Sequence, residues 1–311
     1  MDAEDKLKLV VIAAVLALNV AGFAVLGLGF NWSSAIMLAI VWPILMGLGW
    51  FYKVKRPEPA ISRILWEVAH LALFTNTAAM LSYLAIGLNR PLADEFFIAI
   101  DLIIGFDWMA YVGFVNERPW LGSLSTFLYI STLFQVALAA ILLPLFGRID
   151  RARELVMAVF ISALAAIAIS AAYPTSGALA YFRPDEAFYM ANQPMVDLAY
   201  KQEFFRMRAL EIPELSLRGM KGLIAFPSYH VSLSILTALA FRGMPWLFWP
   251  LCALNIAVIF TTPVDGGHHL IDGIGGALVA LASLWVTVQL RRAIHHEEPD
   301  FVPAVGVEQA K

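Results

Sequence analysis

Two stretches of the chain place histidines at spacings that could do chemistry. In "GGHHLID", residues 266–272, His268 and Asp272 stand four apart and so share one face of a helix. A carboxylate so placed accepts the proton of one imidazole nitrogen and leaves the other bare and nucleophilic. In "FPSYHVS", residues 226–232, His230 falls in a first helical turn just after Pro227 and Ser228, where free backbone amides favour an anion. A third stretch, "KQEFFRMR" at 201–208, offers Lys201 and Arg208 for charge-assisted hydrogen bonds to phosphate oxygens. Nucleophile, orienting acid, second histidine for proton transfer and anion cradle together specify phosphoryl transfer through a phosphohistidine.

Other assignments of the same residues compete. His269 stands three residues before Asp272, also within helical reach, and is a rival nucleophile. Asp265 reads as a loop residue or helix cap. Two histidines and an aspartate can make a facial metal site, but that would use His268 and Asp272 as ligands and leave the basic loop unexplained. No metal and no cofactor are expected. A transporter would gather such groups near the bilayer midplane at broken helices, whereas these cluster at one surface. Ser228 and His230, two apart, do not face each other on a helix as a protease pair would need.

These residues sit in an apolar chain. Of its 311 residues 60% are hydrophobic and 14% charged, with mean hydropathy +0.75. A soluble domain has roughly half apolar and about a quarter charged residues. The balance predicts an all-α fold, a polytopic membrane helix bundle, and a net charge of −3 gives no ground for nucleic-acid binding. The single cysteine, Cys252, lies in the apolar run "LFWPLCALNIAVIF" and has no internal disulfide partner. "MDAEDKLK" leads into an apolar run without a small-residue cleavage site, which reads as a retained span.

About 20 apolar residues cross a bilayer core as helix. That length predicts eight transmembrane helices, near 8–29, 33–52, 64–87, 120–146, 154–173, 228–243, 245–262 and 269–290. The segment 92–115 is also apolar but holds Asp94, Glu95, Asp101 and Asp107. A carboxylate at mid-bilayer costs about 2.5–3.5 kcal/mol on insertion scales. The segment is therefore expected to lie along, or dip into, the outer surface as an interfacial helix. There Asp101 and Asp107 could gate lipid entry or bind a polar headgroup. With 92–115 outside, Lys6, Lys8, the cluster Lys53, Lys55, Arg56 and Arg63, the cluster Arg148, Arg151 and Arg153, Arg242, Arg291 and Arg292 all face one side. The bias of Lys and Arg makes that side the cytoplasm, with both termini, and puts the long polar stretch 174–227 on the outer face. Mid-span His70 is expected to hydrogen-bond a neighbouring helix, and Glu67 to snorkel or pair. The chain divides into an N-terminal pair of spans, 1–60, a catalytic bundle, 61–292, and a flexible cytoplasmic tail, 293–311.

The motifs resemble those of the type-2 phosphatidic acid phosphatase superfamily, K-x6-R-P, P-S-G-H and S-R-x5-H-x3-D. "PSYH" at 227–230 matches the second with Tyr229 in the glycine position, and His268 and Asp272 give H-x3-D. Lys201 and Arg208 give K-x6-R, with Ala209 in place of the proline, and Thr261 and Thr262 occupy the Ser-Arg positions. These departures are similar to the inositol phosphorylceramide synthase and sphingomyelin synthase branch, where the first motif and that arginine are also eroded. The resemblance implies that His268 attacks phosphorus, Asp272 supports it and His230 protonates the leaving oxygen. Ser228, Arg208 and Lys201 would hold the phosphate, with Tyr229 and His269 as candidate headgroup contacts. It also implies a lipid phosphate substrate met within the membrane and water or an alcohol as acceptor.

Overall fold

The computed structural model describes residues 1–297, so the part of the expected tail from 298 onward lies outside the described residues. In chain order the elements are α1 (Ala3–Leu26), β1 (Gly29–Phe30), α2 (Ile36–Val54), α3 (Pro59–Gly87), α4 (Asp94–Ile103), α5 (Trp108–Asn116), α6 (Pro119–Leu145) and α7 (Ile149–Ala172). Then follow α8 (Ala178–Phe182), α9 (Glu186–Met190), α10 (Leu198–Arg208), β2 (Glu214–Leu215), α11 (Tyr229–Ala240), α12 (Pro245–Asp265) and α13 (Leu270–Glu297). Proline opens α3, α6 and α12, where a missing N–H costs nothing and the fixed φ already suits a helix.

Seven of these helices, counting a 3-10 turn from Trp32 into α2, are long and apolar enough to cross a membrane: α1, α2, α3, α6, α7, α12 and α13. The protein is thus an all-α integral membrane bundle. Two expectations need correction. The segment 92–115 is not one interfacial helix: α4 and α5 meet at 75° across a break where Gly105 takes φ +78. The expected span 228–243 is a helix of only 12 residues, α11. At 1.5 Å per residue it is about 18 Å long, short of a hydrocarbon core of about 30 Å. The helix after the histidine motif, in contrast, continues past the expected end at 290 to Glu297.

Several spans also begin earlier than hydropathy suggests, because their terminal charges are paired inside the bundle. Lys8 Nζ donates to both oxygens of Glu67 at 2.7 and 2.6 Å, and Arg63 donates to Asp5 at 2.7 Å and to Glu67 at 3.1 Å. Arg291 of α13 reaches Glu4 at 2.7 Å and Asp150 at 3.2 Å, and Arg153 of α7 meets Asp2. Glu67 therefore pairs rather than snorkels. His70, one turn on, is buried, and neither ring nitrogen has a hydrogen-bond partner among the described residues, because Glu67 and Lys8 are spent on each other. The network gathers the starts of α1, α3 and α7 and the end of α13, so the basic clusters do share one end of the bundle. Arg242, just past α11, joins that end through Glu154.

The apolar core extends to α1. Ile12 and Val15 of α1 pack with Phe74 of α3 and Phe160 of α7, whose rings stack at 3.7 Å. Parallel pairing of β1 with β2 ties the α1–α2 turn to the long polar segment. Breaking a buried ion pair by removing one partner costs roughly 3–5 kcal/mol, while replacing the whole pair with apolar groups costs far less. Lys8→Met should therefore lower the thermal unfolding midpoint in detergent markedly, and Lys8→Met/Glu67→Leu should recover much of the loss. A Lys8→Met protein as stable as the parent would show that the pair contributes nothing.

Candidate active site

The site lies at the ends of α11 and α13 away from the ion network. After α12 the chain reverses through Gly266 and Gly267. Gly267 has φ +60, and a Cβ there would stand 2.8 Å from that of Leu179. Asp101 of α4 then accepts from the amides of Leu270 and Ile271, both at 2.9 Å. Two of the free N–H groups that open α13 are thereby satisfied by a carboxylate, which also suits the positive end of the helix.

That start aims His268 at Asp272. Nδ1 lies 3.0 Å from Asp272 Oδ2, and the same oxygen accepts the His269 amide at 3.0 Å. Asp272 is fully buried. A carboxylate only accepts, so Nδ1 carries a proton and Nε2 is the nitrogen left facing away from the acid. Nε2 faces Ser228 Oγ at 3.4 Å. Ser228 stands at the N-cap of α11 but makes no side-chain capping bond, so its hydroxyl is spent on the imidazole. Its amide donates to the Asp272 carbonyl at 2.8 Å. The two helices can approach this closely because position 276 is glycine: a Cβ there would stand 2.2 Å from the Ser228 carbonyl oxygen. Ser232 Oγ closes the seam on the Gly276 carbonyl at 2.7 Å.

His230 follows in the first turn of α11. Its ring stacks on Tyr129 of α6, centroids 4.1 Å apart and planes 17° apart, and its Nδ1 lies 3.2 Å from the Tyr129 hydroxyl. One turn earlier on α6, Ser125 and Thr126 donate to Asp265, Thr126 at 2.8 Å. Asp265 also accepts from the Met195 amide at 3.3 Å, so this carboxylate, read as a loop residue or cap, is a buried tie between α6, α12 and the polar segment.

Lys201 and Arg208 part company. Lys201 is buried, and its Nζ has no hydrogen bond or ion pair among the described residues; it lies 3.0 Å from where a Gly177 Cβ would be. Burial lowers its pKa to about 8, against the opposing pull of Asp272 and Asp94. Arg208 is seven residues further along α10, about 10 Å by helical rise. Its Nη2 donates to the Arg90 carbonyl at 2.7 Å, while Nη1 is buried without a partner. Lys201 thus stands near Asp272 and Asp94, and Arg208 is tied to the Arg90 carbonyl.

The remaining sequence candidates fall elsewhere. The ring of His269 lies between Asp94 at 3.5 Å and Asp101 at 3.6 Å, and only its backbone amide meets Asp272. Burial opposes its charge, but the two carboxylates raise the imidazole to about 9. Asp101 is occupied by α13 rather than offered to a headgroup. Asp107 is exposed and caps α5 by accepting from the Ala110 amide at 3.0 Å. Tyr229 turns away, donating to the Val159 carbonyl on α7 at 3.3 Å. Asp94, treated in the sequence only as a costly charge, accepts from the amides of Ser176 and Gly177 at 3.0 Å and so seats the segment before α8 against the site. No pattern in the sequence marked Asp94 or Tyr129.

Two histidines thus stand at the starts of two apposed helices of a membrane bundle, one held by a buried aspartate, with a buried lysine nearby. The chain matches the family model of the PAP2 superfamily over residues 95–286 and belongs to that superfamily. That membership carries a lipid phosphatase or phosphotransferase type of activity. No curated protein and no solved structure matched the chain.

With its pKa near 8, Lys201 is a cation below that pH and neutral above it. If it holds phosphate, KM for a phosphomonoester should rise as pH passes upward through about 8, and Lys201→Gln should raise KM and flatten that limb. An unchanged limb in Lys201→Gln would remove Lys201 from phosphate binding.

Proposed function

We propose that the protein cleaves or transfers the phosphate, or phospho-headgroup, of a lipid phosphoester through a phosphohistidine. The observation that carries this reading is the clamp on His268: Nδ1 on buried Asp272, Nε2 facing the Ser228 hydroxyl, Lys201 close by. In the first step Nε2 attacks phosphorus and forms the N–P bond as the P–O bond to the lipid alcohol breaks. His230 gives its proton to the departing oxygen. In the second step His230 takes a proton from the acceptor, whose oxygen displaces His268 from phosphorus. With water as acceptor the protein is a lipid phosphatase; with a lipid or polyol hydroxyl it is a phosphotransferase. Lys201, Ser228 and the free Nη1 of Arg208 are assigned to the phosphate oxygens. Threonine at 262, where the family pattern has arginine, supports the transferase reading and the inositol phosphorylceramide synthase-like branch. The basic clusters at the far end support cytoplasmic termini and a reaction on the outer face.

His268→Ala should abolish turnover and phosphoenzyme formation, and Asp272→Asn should weaken both by orders of magnitude. His230→Ala should slow phosphoenzyme formation from alkyl esters by roughly the 10²–10⁴ that a general acid supplies, and much less from esters with acidic leaving groups. Incubating purified protein with labelled lipid phosphates, with and without alcohol acceptors, and identifying the products separates hydrolysis from transfer. Normal turnover by His268→Ala would overturn the mechanism.

A further inference from the structure

The ammonium of Lys201 is buried, yet it makes no hydrogen bond or ion pair among the described residues. A buried cation without compensation is costly. It lies against Gly177, where a Cβ would stand 3.0 Å from Nζ and 2.8 Å from the Gly267 carbonyl oxygen. Gly267 directly precedes His268, so one glycine touches both the cation and the loop that carries the nucleophile. Gly177 takes φ +85 and ψ 161, a conformation that other residues rarely adopt. Asp94 holds it there. Its Oδ1 accepts from the Gly177 amide at 3.0 Å and the Ser176 hydroxyl at 3.1 Å, and both its oxygens accept from the Ser176 amide at 3.0 Å.

We propose that Asp94 is the positioning residue for Lys201: it sets the backbone on which the ammonium rests and supplies negative charge that keeps it a cation. This rests on the reading of Lys201 as a phosphate ligand. A carboxylate bonded directly to the ammonium would take up N–H groups that phosphate oxygens need. Asp94 spends its oxygens on two amides and a hydroxyl. It therefore attracts Lys201 by charge alone and leaves those N–H groups open to substrate.

The charges around Lys201 agree with this division. Burial lowers its pKa to about 8, and Asp272 and Asp94 oppose the fall. Asp272 comes from α13 with the His268 ring on its Oδ2, and Asp94 from α4 with the His269 ring 3.5 Å from its Oδ1. Arg208, further along α10, is also drawn by Asp94. The parts of α3 and α8 that pack on α10 bring no further charge to Lys201. Without Asp94 the ammonium would lose its proton at a lower pH.

The test is Asp94→Asn in the full-length protein in detergent, because the amide oxygen still accepts from the Gly177 amide while the charge is gone. KM for phosphoenzyme formation from phosphatidic acid is followed from about pH 6 to about pH 9, across the lysine's titration. Removing a neighbouring opposite charge should move the rising limb of KM down by about one pH unit and raise KM at pH 8 roughly fivefold, with kcat nearly unchanged. At the acid end, where Lys201 is charged in both proteins, KM should match the parent. Glu95→Gln, an exposed neighbour on α4, should leave the limb in place. Gly177→Ala, which crowds the ammonium with a methyl group, should raise KM even at the acid end. Neither Asp94→Asn nor Gly177→Ala should add to the KM of Lys201→Gln. If Asp94→Asn fails a thermal scan, the cycle of Gly177→Ala with Lys201→Gln decides the placement by itself. A limb that stays in place in Asp94→Asn, a rise in KM equal at every pH, the parent's KM in Gly177→Ala, or a full further rise in the Lys201→Gln background would each overturn the role of Asp94. An unchanged limb in Lys201→Gln alone would instead overturn the phosphate role of Lys201, on which the proposal rests.

Discussion

One carboxylate oxygen organises the site. Asp272 Oδ2, fully buried between α11 and α13, takes both the His268 imidazole and the His269 amide. In low dielectric a carboxylate without partners would be costly. Here it is offset by an imidazole N–H, a backbone amide, the positive start of α13 and the nearby Lys201. Each of those partners is thereby fixed in turn. The imidazole cannot rotate away without stranding the acid, and α13 cannot slide along α11 without opening the Ser228 amide bond to the Asp272 carbonyl.

Around that oxygen the bundle uses buried acids as structural ties. Asp94 holds the turn before α8, Asp101 holds the start of α13, and Asp265 joins α6 to the polar segment. His269 sits between the first two as a shared cation. Four aspartates from α4, α12 and α13 thus gather loop amides, hydroxyls and imidazoles, which lets a segment rich in polar groups pack with only a two-residue strand of its own among the described residues.

The parts of this arrangement that were legible in the sequence are those set by local rules. Apolar runs and opening prolines marked the long helices. Clustered lysines and arginines marked one end, and the four-residue interval marked the His268–Asp272 pair. What escaped depends on tertiary direction. K-x6-R places Lys201 and Arg208 on one face of α10, and nothing local says that only the first is swallowed by the fold. Tyr129 lies in an apolar span where an aromatic residue normally packs or meets lipid. Asp101 looked like a surface acid because its partners, two amides, come from a segment 169 and 170 residues away. The length of α11 was overestimated mainly at its C-terminal end, where the chain leaves the helix after Ala240 and turns at Gly243 with φ +88.

That short helix has a geometric corollary. Arg242 moors one end of α11 to Glu154, and only 12 helical residues separate that mooring from the serine and histidine at the other. On the reaction proposed above, phosphorus would be attacked at a set height above that mooring, about two-thirds of a typical hydrocarbon thickness. The bilayer, not the protein, then decides how far the substrate headgroup must sink to be attacked. Membranes of longer acyl chains make that descent deeper, and thinner ones bring the reaction nearer to the water.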